Sequence, residues 1–183
     1  MYGMINKAAQ ELIVTQFGDE KWRAVKKRAG IDVENFDRLI QYHDEVTYDI
    51  IAAASEVLDL PVATVLEIFG QSWIEFARRS GYESMFDLSG NNLFEFLQSL
   101  DELHTRLSLS FPDYRPPSFY CADYRTLSLR LHYISEREGL APFVVGLVKG
   151  LGELFATPVT VTQEKAKSEG ASHDVFLIEK VAD

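Results

Sequence analysis

The residue most suited to chemistry or metal binding is His104, in the stretch 92–108, NLFEFLQSLDELHTRLS. Four leucines around it recur at helical spacing, and His104 takes a core-facing position in the same pattern (Leu93, Leu97, Leu100, Leu107). An inward imidazole is either a core residue hydrogen-bonded through one ring nitrogen or a metal ligand. Because the core residue is the more common of the two, His104 alone predicts no metal site.

A second group of residues that could bind a ligand is formed by Tyr133, Ser135 and Arg137. Residues two apart on a strand project from the same face, so these three side chains can converge on one anion. The phenol and the hydroxyl each supply a single hydrogen bond, whereas the guanidinium offers a two-pronged, permanently charged contact to carboxylate or phosphate. Polar residues are common at strand ends, so this pattern is weak evidence by itself.

The two groups together indicate a more specific site. Leu127, Leu129 and Leu131 precede Tyr133 on the same predicted face, which gives an apolar floor that leads to a polar clamp. That is the outline of a pocket for a flat amphipathic molecule with an acidic end. An inward histidine, an apolar slot and an anion clamp are what haem requires: an axial nitrogen ligand, burial of the macrocycle and neutralisation of its propionates.

The elements that must position these residues change character along the chain. Helical periodicity predicts helices over 2–17, 20–29, 45–58 with Asp44 as N-cap, from Val62 to about Ser80-Gly81, and 92–108. The proline-rich segment 111–117 is a stiff connector. After it, the pattern predicts strands 118–123 and 126–137, a helix 139–155 with a flat strip at Gly146 and Gly150, and strands 158–162 and 174–180.

These elements predict an α+β fold in one domain of residues 1–183. It has a helical lobe (1–110), the connector (111–117) and a lobe of residues 118–183 in which a helix covers a four-stranded antiparallel sheet in the order ββαββ.

Composition narrows the function classes. The chain has 183 residues, of which 46% are hydrophobic, enough for a real core. Its net charge of −10 argues against nucleic acid and anionic membrane surfaces as partners. The single Cys121 excludes an internal disulfide, and we expect it to be a structural thiol. With no signal-like amino terminus and no long apolar run, we expect a cytoplasmic protein without a membrane span.

Several motifs together give the chain a family resemblance. It resembles the H-NOX family, the haem nitric-oxide/oxygen-binding domains that include the haem-bearing region of soluble guanylate cyclase. The motifs that carry the resemblance are Met1-Tyr2-Gly3, Thr47-Tyr48-Asp49, Ala52-Ala53-Ala54-Ser55, the segment 96–104, Pro117-Ser118-Phe119 and, above all, Tyr133-x-Ser135-x-Arg137 about thirty residues after His104.

The resemblance implies the H-NOX fold, haem b as cofactor and a role for each site residue. His104 would be the axial ligand of the iron, and Tyr133, Ser135 and Arg137 would hold the propionates. Pro117 and Ile5 would press on the porphyrin and distort it.

The same resemblance bears on which gas is bound. Oxygen on ferrous haem is stabilised by a distal hydrogen-bond donor, which NO does not need. Oxygen-binding members have a tyrosine where this chain has Phe143 or, one residue earlier, Pro142, and neither side chain donates. Trp73 and Leu147 complete the expected distal pocket, and the Trp73 indole N–H could oppose this prediction. We expect binding of NO and CO and weak binding of oxygen.

The resemblance also implies how the domain would pass a signal to another protein. NO would weaken the iron bond to His104 and free the helix 92–108 to shift, which would regulate a separate effector such as a histidine kinase or a cyclic-dinucleotide enzyme. Alternatives are an oxygen-binding haem domain, a haem-free sensor of another apolar acidic ligand, or an enzyme. The last is disfavoured because a polar distal acid/base pair is missing.

The other histidines are expected to lie outside this site. His43 and His173 each precede an aspartate at the start of an element, which is typical of solvated turn residues. His132 alternates with Tyr133 and so should face away from it.

Overall fold

The computed structural model describes residues 1–111 and 113–181. Pro112 of the predicted connector and residues 182–183 of the predicted second lobe lie outside the described residues. Seven α-helices and four strands follow one another in the order α1 (Gly3–Phe17), α2 (Asp19–Ala29), α3 (Asp44–Leu58), α4 (Val62–Ala77), α5 (Glu83–Asp87), α6 (Leu93–Ser110), β1 (Ser118–Ala122), β2 (Ser128–Ile134), α7 (Ala141–Leu154), β3 (Val159–Lys165) and β4 (Asp174–Lys180). The mixed α+β class is therefore confirmed.

The helix ends follow local chemistry. Gly18 and Gly30, where α1 and α2 were expected to stop, have positive φ angles of 86° and 67°, a conformation that glycine adopts without strain. The prediction of Asp44 as an N-cap is wrong. His43 takes that position, and Asp44 is the first residue of α3, with its carboxylate turned towards other partners described below.

The helix that carries His104 begins as its sequence suggests. The Asn92 side chain accepts a hydrogen bond from the Glu95 backbone N–H at 3.1 Å and so caps the amino terminus of α6. Before it, α4 passes into a wider π-type turn, Arg78–Tyr82, in which Gly81 has a φ of 99°. The predicted end near Ser80-Gly81 thus coincides with a distortion between α4 and α5.

The four strands form one antiparallel sheet in the order β1-β2-β4-β3. β2 ends at Ile134 and not at the predicted residue 137, so Ser135 and Arg137 lie on the turn beyond the strand. Side chains alternate along β2. Leu129, Leu131 and Tyr133 are buried on the face towards α6 and α7, which we call the inner face. Arg130 and His132 belong to the opposite, outer face.

The helical part and the sheet part meet where α4 crosses α7 at close range. A Cβ atom added to Gly146 would stand 2.0 Å from the Glu67 carbonyl oxygen, and one added to Gly70 would stand 2.1 Å from that of Phe143. The predicted flat strip is confirmed, since a Cβ atom added to Gly150 would likewise stand 2.7 Å from the Gln71 carbonyl oxygen. The division into lobes 1–110 and 118–183 stays a prediction.

The described helices differ from a membrane-spanning helix in length or in hydrophobicity. None of those within residues 1–111 and 113–181 has both the length and the apolar character that a bilayer span needs.

Candidate functional site

One cavity of about 490 Å³ opens between the helices and the inner face of the sheet. Its size is within the range typical of sites for small molecules and cofactors. It is lined by all nine site residues named from the sequence: Ile5, Trp73, His104, Pro117, Tyr133, Ser135, Arg137, Phe143 and Leu147. Residues from α1, α4, α6, the connector, β2 and α7 are therefore brought to one place.

His104 projects from α6 into this cavity. Its Nδ1 atom is buried without a hydrogen-bond partner among the described residues. Burial lowers the pKa of His104 from 6.5 to about 4. The Leu100 carbonyl oxygen and the Asp101 carboxylate raise the pKa, but by less than burial lowers it. The contact with Leu100 does not have the geometry of a full hydrogen bond. The ring is neutral at pH 7, which is the form that coordinates a metal.

Two aromatic rings lie beside the imidazole. Phe119 stacks on His104 with ring centroids 5.5 Å apart and an interplanar angle of 15°, and the ring of Tyr114 lies 6.3 Å away. Burial raises the pKa of Tyr114 to about 12, so its hydroxyl stays neutral. Tyr114 was missed from the sequence because it lies in the connector, where no periodicity indicates which way a side chain points.

Asp101 ties the His104 helix to the sheet. Its carboxylate accepts hydrogen bonds from the Ser118 hydroxyl at 2.7 Å and from the Phe119 backbone N–H at 3.0 Å. These two bonds, which outweigh the effect of burial, lower the pKa of Asp101. A movement of α6 would therefore pull directly on the first residues of β1.

The polar end of the cavity contains Tyr133, Ser135 and Arg137. Tyr133 is on the inner face of β2, and burial raises its pKa. The Ser135 hydroxyl accepts the Arg137 backbone N–H at 3.0 Å, which fixes the turn after the strand. The three side chains still line one cavity, although only Tyr133 belongs to the strand from which their convergence was predicted.

Arg137 is already partly engaged. Its Nε donates to the Asp44 carboxylate at 2.7 Å and its Nη1 to the Arg115 carbonyl oxygen at 2.9 Å. The amino group of Met1 also pairs with Asp44. Burial would raise the pKa of Asp44, but the bonds from the Met1 amino group and Arg137 outweigh it and lower the pKa. The guanidinium is thus held in place, and its Nη2 has no hydrogen-bond partner among the described residues.

The predicted apolar floor is only partly correct. Leu131 lines the cavity, whereas Leu129 is buried in the core beneath it and Leu127 is 54% exposed. Leu127 precedes β2, where the strand pattern does not yet hold. The apolar walls come mainly from helices, including Leu97, Leu100, Leu103 and Leu107 of α6.

The pocket expected to be distal is aromatic. Phe143 of α7 packs on Phe69 with ring centroids 5.1 Å apart, and Trp73 lies edge-on to Phe69 at 6.5 Å. Between the two candidates of the sequence comparison, Phe143 lines the cavity and Pro142 does not. Of Trp73, Phe143 and Leu147, only Trp73 has a side-chain hydrogen-bond donor.

The remaining candidates lie apart from the cavity. His43 is exposed, as expected, and His132 belongs to the outer face. His173 lies in a bend before β4 and is half-buried, so its expected place in a turn is confirmed, but its ring is hydrogen-bonded to that of His132 and is not simply solvated. Cys121 is half-buried, and burial raises the pKa of its thiol to about 11, which makes it unreactive at neutral pH.

The fold and the cavity define a ligand-binding domain in which one neutral imidazole and one held guanidinium face the same apolar space. Residues 2–163 match the family model described as haem-NO-binding. The chain therefore belongs to the haem-NO-binding, or H-NOX, family.

Individual relatives agree with this assignment. The chain is 32% identical over 188 residues to soluble guanylate cyclase gcy-37 of Caenorhabditis elegans, which covers 98% of this chain and 27% of that protein. The chain thus spans about a quarter of the length of such curated relatives.

Solved structures support the fold. Two structures of an H-NOX protein from S. oneidensis, one in the Fe(II) and one in the Fe(II)NO state, superpose with TM-scores of 0.90 and 0.89. They cover 100% of this chain and 97% and 100% of theirs, at 18% and 17% sequence identity, so the likeness concerns the fold.

Proposed function

We propose that this domain is a haem-based gas sensor that binds NO and CO and discriminates against oxygen. The observation that carries the proposal is the buried, neutral imidazole of His104, which faces the same cavity as Tyr133, Ser135 and Arg137. When bound, haem b would supply an iron with an open position for a diatomic gas. Family membership makes haem the expected occupant.

The residues of the cavity fit that cofactor. His104 is the one imidazole among the lining residues and would ligate the iron through a ring nitrogen. Arg137, steadied by Asp44, would direct its free Nη2 at a propionate, and the Tyr133 and Ser135 hydroxyls would add neutral hydrogen bonds. Ile5 and Pro117 would bear on the porphyrin from the amino terminus and the connector.

The aromatic pocket supports the selectivity for NO. Phe143 and Leu147 offer no hydrogen bond to bound oxygen, and NO does not need one. The indole N–H of Trp73 favours the alternative, an oxygen-binding domain, if it reaches the bound gas.

Signal output is proposed to run through α6. A weaker hold of the bound iron on His104 in the NO state would let α6 move within the limits set by Asp101 and its bonds to Ser118 and Phe119. The domain would act as a sensor and not as a catalyst, and it would regulate a histidine kinase or a cyclic-dinucleotide enzyme. The single, unreactive Cys121 fits a reducing cytoplasm.

The test is the visible spectrum of the purified, reduced protein. We expect a strong Soret band that shifts on addition of NO and of CO and stays that of the unliganded ferrous form in air. A stable oxygen complex in air would replace the proposal by the oxygen-binding alternative. Absence of a Soret band after reconstitution with haemin would favour a haem-free sensor of another apolar, acidic ligand.

A further inference from the structure

The outer face of the sheet carries a cluster of side chains that the haem cavity does not use. His132 on β2 and His173, directly before β4, approach each other with Nδ1 of the first 2.8 Å from Nε2 of the second. Tyr120 is the cross-strand neighbour of His132 and stacks on its ring, with centroids 4.1 Å apart. The Tyr120 hydroxyl oxygen lies 3.5 Å from His173 Nε2. Three donor atoms from three segments thus converge.

The cluster is oriented by its surroundings. Ser172 Oγ lies 2.8 Å from His173 Nδ1, so the other nitrogen of that ring is turned towards His132. Metal-binding imidazoles are commonly held by a hydrogen bond to the nitrogen that does not coordinate. Because the two facing nitrogens share a single proton, one of them always has a lone pair directed at the other.

Charges around the cluster permit a cation. Arg130 lies on the same face of β2, two residues before His132, and its charge is compensated by Glu164 at 2.7 Å and Asp123 at 3.1 Å. Lys165, from β3, remains as a repulsive neighbour. The charged groups that face His132 are therefore Lys165 and Arg130 on one side of the balance and Asp123 on the other.

We propose that His132 Nδ1 and His173 Nε2 form a binding site for a divalent transition metal such as Zn²⁺. Imidazole ligands suit the borderline-soft ions of the late first row, and the Tyr120 oxygen and water would complete the coordination. Bonds of about 2.0–2.1 Å in a tetrahedral site place two nitrogens about 3.3 Å apart, so the rings must separate by roughly half an ångström. His173 precedes β4 in an irregular segment, where such a movement is easy.

The site would connect β2 to its neighbours on both sides. Its ligands come from β1, β2 and the segment before β4, so a bound ion would link three chain segments on the side of the sheet opposite Tyr133. It would not need the haem cavity, and its test is independent of the proposed gas sensing.

The experiment is a calorimetric titration of the full chain, as purified, with Zn²⁺ in a non-coordinating buffer. We expect one site that EDTA empties. His132→Ala and His173→Ala should each weaken binding by more than about tenfold, since loss of a ligand costs at least as much as loss of an outer partner. Tyr120→Phe should weaken it less, and His43→Ala, at an exposed histidine elsewhere, is the matched control and should bind like the original protein.

A second measurement avoids any dependence on folding of the variants. Imidazole nitrogen NMR of the unmodified chain should show Zn²⁺-induced shifts for His132 and His173 and none for His43. Binding weaker than about 1 mM, which is less than about 4 kcal/mol, would overturn the proposal. It would equally be overturned by unchanged binding in both alanine variants or by shifts confined to His43.

Discussion

Imidazoles lie on both sides of the sheet, but they differ in whether their ring nitrogens have hydrogen-bond partners. On the inner side, His104 has no hydrogen-bond partner for its Nδ1 among the described residues, and burial lowers its pKa to about 4. On the outer side, His132 and His173 satisfy each other. A buried polar atom without a partner costs about 1–3 kcal/mol. The outer imidazoles are satisfied by each other, whereas Nδ1 of the inner one is not, so the two faces differ in what they leave unpaired.

Replacing His104 should produce the largest effect. We expect His104→Gly to lose most of its haem or to retain it only with added imidazole, because the cavity then lacks an iron ligand. His132→Gly, on the outer face, is the matched control and should keep its Soret band. Haem content measured as pyridine haemochrome decides the matter. Equal loss in both variants would remove the distinction between the two faces.

Removal of the held guanidinium should have the next largest effect. Arg137→Gln would remove a charged contact to the propionates and would leave the Asp44 carboxylate without its guanidinium partner. Charged hydrogen bonds contribute about 1.5–3 kcal/mol each. We expect haem transfer to an apoglobin acceptor to become faster by about tenfold or more. Arg125→Gln is the control, since that side chain is exposed and does not line the cavity. An unchanged transfer rate in Arg137→Gln would exclude the clamp.

A hydroxyl added to the aromatic pocket should change the response to oxygen. We expect Phe143→Tyr to slow oxygen dissociation by roughly five- to tenfold, because one net hydrogen bond contributes about 1 kcal/mol. Phe143→Leu should leave oxygen binding as weak as before. Flash photolysis measures both. If the unsubstituted domain already holds oxygen as tightly as Phe143→Tyr, the prediction of weak oxygen binding is wrong.

The smallest predicted effect is the acid dependence of Asp44. Its pKa is lowered below 3.8 in the folded protein, so its contribution is present above that value and is lost as the pH falls through the folded pKa. After discount for partial exposure we expect Asp44→Asn to cost about 1 kcal/mol at pH 7. The difference from the unsubstituted chain should stay constant above about pH 5 and shrink below about pH 4.

Urea unfolding at several pH values measures this, with Glu45→Gln as the exposed neighbour for control. A difference between the Asp44 variant and the unsubstituted chain that grew towards acid pH would contradict the assignment of the ion pair.

Most elements, His104 and Tyr133 could be predicted from local signals, whereas Ile5, Pro117, Trp73, Phe143 and Leu147 were named only through the family resemblance. Helical spacing exposes the inward position of His104, and alternation separates Tyr133 from His132. Asp44 was misjudged because an acidic residue at a helix start is equally typical of a cap and of the first turn. Its partner Arg137 is 93 residues away, a separation that no local pattern reports.

The outer pair was missed for a similar reason. His132 and His173 meet only because β2 pairs with β4, and the register that aligns them depends on the whole sheet. Tyr114 and Leu127 stand where periodicity ends, in the connector and before β2. Residues in such segments take their direction from tertiary packing.

The most direct test of the account is the iron–histidine stretching band in the resonance Raman spectrum of the ferrous, unliganded protein. The account predicts one such band, which is unchanged in His132→Ala and His173→Ala and which in His104→Gly appears only with added imidazole, at an altered frequency. A band that persisted in His104→Gly without imidazole, or that vanished on removal of an outer-face histidine, would contradict it.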